Sequence, residues 1–127
     1  MENTQHTVIP VLRIFDIAKA KEFYIDWLGF TIDWEHRYGE NFPLYMQVSK
    51  DNIKFHLTEH YGDCSPGAKV FIEFTGELAN YQAWLTAKDY RYYKPGLKKA
   101  PWHAITMTVT DPFGNKLLFS EAIKNEG

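Results

Sequence analysis

The 127-residue chain has one cysteine, Cys64, so no disulfide can form within it and nothing in its cysteine usage calls for an oxidising compartment. Clustered positive charge is missing too. Fourteen basic side chains face 16 acidic ones for a net charge of −2, and Lys98-Lys99 is too short a run to neutralise nucleic-acid phosphates. Nowhere do 18 apolar residues follow one another, and Met1-Glu-Asn-Thr-Gln-His6 lacks the basic start and apolar stretch of a secretion signal. Neither a nucleic-acid nor a membrane partner is expected, and the cytoplasm is the expected location. No glycine-rich phosphate loop occurs, and Cys64, beside Ser65-Pro66-Gly67, has no neighbouring base or helix start to activate its thiol. What the chain has in quantity is apolar and aromatic: 45% hydrophobic and 17% aromatic residues, enough to bury a core in one domain spanning 1–127.

Two segments repeat. Ile53-Lys-Phe-His-Leu-Thr-Glu59 and Asn115-Lys-Leu-Leu-Phe-Ser-Glu121 share a lysine, alternating apolar positions and a hydroxyl-Glu ending. A duplicated curved sheet that cannot bury both faces alone encloses a cavity between its copies. In the first copy, about 7–59, Thr7 to Phe15 reads as a strand made peripheral by Pro10, which lacks a donor. Asp16 is a good N-cap, and Ile17, Ala20, Phe23, Trp27 and Leu28 recur at helical spacing until Gly29 allows a left-handed end. Three strands follow, with Phe30, Ile32 and Trp34, then Leu44, Met46 and Val48, then Ile53, Phe55 and Leu57 as their apolar positions, the last two joined by a Lys50-Asp51-Asn52 turn. The second copy, about 68–122, predicts a strand from Lys69 to Phe74 and a helix marked by Leu78, Tyr81, Trp84 and Leu85 with Thr75 as its cap. A short strand or loop is expected between Tyr90 and Pro101. The strand Trp102–Thr110, a turn at Asp111-Pro-Phe-Gly-Asn115 and the strand Lys116–Glu121 complete it. Each half is thus strand, helix, then three strands.

The run from Asp16 through Phe23-Tyr24 to Leu28-Gly29-Phe30, with the later Asp111-Pro-x-Gly-Asn115, resembles the vicinal oxygen chelate superfamily of glyoxalase I, extradiol dioxygenases and bleomycin resistance proteins. The resemblance covers nearly the whole chain. It implies an α+β fold of two βαβββ modules, whose curved mixed sheets form a ligand cleft, and a homodimer.

Enzymes of that superfamily place one His or Glu ligand on the first and last strands of each module, because a transition metal needs several converging donors. The matching positions here are Ile9, His56, about Val70 and Leu118, and only His56 is a donor. A lone imidazole cannot hold a catalytic metal, so no metal, cofactor or catalytic residue is expected. His56, between Phe55 and Leu57, reads more simply as a hydrogen-bonded sheet residue. Positions 56 and 60 share a strand face only if the strand runs past Glu59, and the Gly62-Asp63 turn argues against that.

A cavity without metal donors points to binding. Val8-x-Pro-Val-Leu12, Pro101-Trp102 and Asp111-Pro-x-Gly-Asn115 are similar to segments of the bleomycin resistance proteins. That resemblance implies a metal-independent protein that sequesters bleomycin- or phleomycin-type antibiotics and so confers resistance, with Phe42 and Trp102 as the aromatic pair around the flat bithiazole. Such drugs join a planar heteroaromatic to a cationic tail, so a trap needs aromatic faces and acidic groups. Trp34, Tyr38, Phe42, Tyr45 and Trp102 offer the first; Asp33, Glu35, Glu40, Glu59 and Asp63 offer the second. The candidate ligand-binding set is therefore Trp102, Phe42, Trp34, Tyr38, Tyr45, His56 and Glu59, while Trp27, Trp84, Phe23, Phe55 and Phe74 are assigned to the core. Two alternatives stay open: a metal-dependent glyoxalase-type lyase or isomerase that rebuilds a site from His56 and Glu121, and a binder of another small aromatic metabolite.

Overall fold

The computed structural model describes residues 4–90 and 93–124. Its elements run in one order twice. The first half holds β1 (Val11–Arg13), α1 (Ile17–Lys21), which widens into a π-helical stretch at Glu22–Trp27, then β2 (Thr31–His36), β3 (Tyr45–Lys50) and β4 (Ile53–Thr58). The second holds β5 (Lys69–Glu73), α2 (Leu78–Ala87), β6 (Lys98–Ala100), β7 (Ala104–Thr110) and β8 (Lys116–Ala122). Each half forms a four-stranded sheet, ordered β1-β4-β3-β2 and β5-β8-β7-β6. The repeated segments are β4 and β8, each bonded in parallel to the first strand of its half and antiparallel to the strand before it. Both sheets are mixed, and the fold is α+β.

Local chemistry accounts for most of the boundaries. The Asp16 carboxylate accepts from the Lys19 amide at 3.0 Å, capping α1. One turn on, the Leu28 amide reaches back five residues to the Phe23 carbonyl at 2.9 Å, and the wider turn lets Phe23, Tyr24 and Trp27 all face the core. Gly29, at φ +86°, ends the helix. The first strand is shorter than Thr7–Phe15 because only three residues pair with β4, although the Pro10 carbonyl still accepts from the His56 amide at 2.9 Å.

Thr75 does not cap α2. Glu77 holds that place in a left-handed conformation, and Glu121, from the end of β8, accepts from the Glu77 and Leu78 amides at 2.9 and 3.0 Å. A carboxylate arriving from 43 residues away thus satisfies the orphan donors that a local threonine would have met. Of the Tyr90–Pro101 stretch, Arg91 and Tyr92 lie outside the described residues, and Lys98–Ala100 is its strand.

One buried cluster runs through both halves, from Leu12, Phe23, Met46 and Phe55 to Leu78, Leu85, Met107 and Phe119. The helices meet through polar contacts as well: the Trp27 indole donates to the Leu85 carbonyl at 3.1 Å and the Tyr81 hydroxyl to the Leu28 carbonyl at 2.7 Å. Trp84, assigned to the core from its spacing, is 46% exposed, because α2 presents it to Gly29 at the edge of that contact rather than to the interior.

The Asp111–Asn115 turn joins the halves. Asp111, buried, accepts from the Tyr24 hydroxyl at 2.7 Å, from the Phe113 and Asn115 amides and from the Asn115 side chain. Asn115 also donates to the Arg13 carbonyl and accepts from the Ala68 amide, so it touches the strand β1 and the entrance to β5 at once.

Candidate binding site

Alternation in β2 would put Phe30, Ile32 and Trp34 on one face, but the ladder with β3 slips at Asp33: Ile32 pairs with Val48, and Trp34 with Gln47. The extra residue is a β-bulge, and it turns Trp34 away from the core side that Val48 occupies. Cross-strand partners share a face, and Gln47 in turn pairs with His56 and His56 with Val11. Trp34, Gln47 and His56 therefore line up across the sheet on the side opposite Met46, Phe55 and Leu57.

Over this face opens a cavity of about 620 Å³, lined by Trp34, His36, Tyr38, Pro43, Tyr45, Thr58, His60 and Asp63. Trp34 and Tyr45 lie parallel within 8°, their ring centres 6.0 Å apart, and the His56 ring meets both edge-on at 5.2 and 5.1 Å. His36 and Tyr38 form a second pair, edge to face at 4.7 Å. This is an aromatic wall of the size that takes a small planar ligand.

Its polar groups are tied in a chain whose direction can be worked out. The Asp33 carboxylate accepts from Gln47 Nε2 and Ser49 Oγ, each at 2.9 Å, and those bonds hold its pKa below the usual value. A carboxylate only accepts, so the Gln47 amide nitrogen faces Asp33 and its Oε1 faces His56 Nε2, 3.0 Å away. The proton of the ring is then on Nε2, and Nδ1 is bare to accept from the Tyr45 hydroxyl at 2.7 Å. Burial lowers the His56 pKa and raises that of Tyr45, so both groups are held neutral in the same arrangement. At the far end of the floor Thr58 donates to Asp63 Oδ2 at 2.7 Å and accepts from the His60 amide at 3.0 Å.

Of the residues singled out in the sequence, Trp34, Tyr38 and Tyr45 lie in this cavity and His56 stands directly beneath it. Phe42, 54% exposed, sits on the adjoining loop against Gly39. Trp102, also 54% exposed, lies in the turn between β6 and β7, because the expected strand Trp102–Thr110 begins only at Ala104; it is near Phe71 at 6.2 Å and donates to Ser120 Oγ at 3.1 Å, so the two members of the expected aromatic pair belong to different halves of the chain. Glu59 is turned inward to accept from the Leu44 amide at 2.9 Å, and Glu35 pairs with Lys21 at 3.1 Å on the helix side of the sheet. Sequence reasoning passed over Gln47, whose role depends on Asp33 and His56 from the strands on either side, and Thr58, which bonds to the loop that follows it, and it weighed His60 only as a donor beside His56; a mid-strand aspartate at 33 was the one local sign of the bulge.

The residues do not fit the metal of the glyoxalase-type enzymes. The ladders place Val11, rather than Ile9, beside His56 and Phe71, rather than Val70, beside Leu118, so the register is shifted but the neighbours are still hydrocarbon. Both His56 nitrogens already have partners, and among the described residues no three His, Cys, Asp or Glu side chains converge. Glu121, the other donor considered, is spent on α2. Among the same residues no helix is long and apolar enough to cross a membrane.

The profile of the family described as "Glyoxalase superfamily protein" matches residues 2–126. No curated protein sequence matches the chain. Among solved structures the chain is similar to a bleomycin-binding protein complexed with bleomycin, at 16% identity and a TM-score of 0.69 over 94% of this chain and 100% of that one. It is also similar to a bleomycin resistance determinant encoded on the transposon Tn5, at 16% identity, a TM-score of 0.72 and the same coverage. A member of the glyoxalase/bleomycin resistance protein/dioxygenase superfamily from Sphaerobacter thermophilus superposes with a TM-score of 0.67 at 19% identity, over 92% of this chain and 98% of that one. At these identities the likeness is one of fold.

Proposed function

The chain belongs to the glyoxalase superfamily, and from that premise we propose that it is a metal-independent binding protein that sequesters a flat, cationic antibiotic of the bleomycin class and so confers resistance. The observation that carries this reading is the parallel Trp34–Tyr45 wall over a cavity of about 620 Å³, set on a histidine whose two nitrogens are already bonded to protein. Such a wall favours a planar heteroaromatic; stacking contributes about 0.5 to 1.5 kcal/mol per pair beyond burial, which adds about 25 cal/mol per Å². The carboxylate of Asp63 supplies a nearby negative charge for a cationic tail. The same reading makes the protein a cytoplasmic homodimer with two equivalent clefts. The exposed Phe71 and Trp102 of one copy would then face the open cavity of the other and complete the aromatic sandwich.

Calorimetric titration of metal-free bleomycin into chelator-treated protein, with tryptophan fluorescence followed in parallel, tests the proposal. Saturation near one drug per chain is the expected result. Absence of both heat and quenching, alongside a thermal shift from a different planar compound, would transfer the site to another aromatic metabolite.

A further inference from the structure

The hydrogen-bond chain under the cavity fixes more than the histidine tautomer. The two hydroxyls of the cavity floor direct their protons into the protein: Tyr45 gives its proton to His56 Nδ1, and Thr58 gives its own to Asp63. At the floor a ligand then meets the second lone pair of Tyr45 Oη and the Asp63 carboxylate, both acceptors, while the Trp34 indole, His36, Tyr38 and His60, the last 3.4 Å from Asp63, are the donors that line the rest of the cavity. Arg13, on the neighbouring strand, is engaged elsewhere, its Nε donating to the Glu59 carbonyl at 3.2 Å and its guanidinium lying 4.5 Å above the Phe15 ring. Building on the proposed drug-binding role, we infer that the cavity floor selects for a hydrogen-bond donor, an ammonium or other cationic N–H on a planar ligand, with Tyr45 Oη as the selecting atom.

In this arrangement His56, Gln47 and Asp33 act as positioning residues. Asp33 orients the Gln47 amide, Gln47 orients the imidazole, and the imidazole takes the Tyr45 proton. A ligand carboxylate placed against Tyr45 would meet a lone pair where it needs a proton, and a carboxylate, Asp63, on the same floor. The direction of recognition is thus set three residues away from the atom that performs it.

The test uses three small probes on one flat frame, 4-phenylthiazole carrying an aminomethyl, a hydroxymethyl or a carboxylate group, titrated against tryptophan fluorescence at neutral pH beside metal-free bleomycin. The aminomethyl probe should bind at least about tenfold more tightly than the carboxylate, as expected for a charge-assisted hydrogen bond against an unpaired one. Tyr45→Phe keeps the ring and removes the selecting atom, so the ratio should fall below about threefold while the hydroxymethyl probe changes by about twofold or less. His56→Leu frees the Tyr45 proton to turn toward the ligand, and the ratio should narrow through a gain by the carboxylate. Because each ratio compares two probes on one protein sample, a loss of folded fraction cancels. Bleomycin binding with a ratio near one would overturn the inference and leave the sequestration reading standing. A preserved ratio without bleomycin binding would do the reverse, and failure of every probe would remove both.

Discussion

Trp84 lies across Gly29 so closely that a Cβ built on the glycine would come within 2.7 Å of the indole Cη2. Gly29 also sits at φ +86°, where an L side chain is strained. Gly29→Ala should therefore cost roughly 2 to 4 kcal/mol, the sum of the left-handed backbone and the overpacking. In a Trp84→Leu background the steric part should disappear and about 1 to 2 kcal/mol remain, which a double-mutant cycle of urea midpoints would read.

The Tyr24 hydroxyl and the Asp111 carboxylate meet across 87 residues at 2.7 Å. Tyr24→Phe should cost about 1 to 3 kcal/mol, and Asp111→Ala more, about 3 to 5, because it strands several buried donors together. Burial, then the Asp111 charge and the hydrogen bond, raise the Tyr24 pKa well above 10. The unfolded chain ionises near 10 and the folded one does not, so this group's contribution is whole below 10 and is lost as pH rises beyond it. Stability measured between pH 8 and 11 should fall less steeply in Tyr24→Phe than in the native chain.

His56 works in the acid direction. Burial lowers its pKa from 6.5, so the unfolded chain takes up a proton near 6.5 that the folded chain refuses until the pH is lower. Its contribution is present above 6.5 and is lost as pH falls through the depressed value. An imidazole NMR titration should place His56 below 6.5, and denaturation between pH 8 and 5 should be flatter in His56→Leu.

Trp34 and Trp102 are 42% and 54% exposed, so neither leaves a deep cavity when removed. Trp34→Ala should weaken bleomycin binding by about 1 to 3 kcal/mol with stability changed by less than about 1 kcal/mol. In the proposed dimer Trp102→Ala should do the same through the partner copy. A loss of about 3 kcal/mol or more in stability, with binding intact, would mark either residue as packing rather than recognition.

The order of elements was legible because its signals are local. Asp16 caps the helix that follows it, Gly29 ends that helix, and the Asp111–Asn115 turn carries its own hydrogen bonds. The repeated segments are the two strands that anchor each sheet, so their shared pattern of lysine, apolar residues and Glu reflects a shared position. The site was only partly legible. Trp34, Tyr38 and Tyr45 could be picked out as aromatics, but Trp34 faces the cavity because of a bulge that an unbroken alternation does not reveal. Glu59 and Glu121 read as free carboxylates, and both are spent on backbone amides brought from 15 and 43 residues away. Non-local partners of this kind follow from the sheet register and leave no trace in spacing.

Asn115 gives the duplication a further meaning. Its side chain holds the Arg13 carbonyl of the first half and the Ala68 amide of the second, while the buried cluster crosses between them. Neither half is a miniature of the whole: a fragment cut between Glu59 and Ala68 would leave a bare apolar surface and a severed polar tie on both pieces. The chain should melt in one cooperative transition, and its two cuttings, mixed in equal amounts, should regain structure by complementing each other where each alone does not.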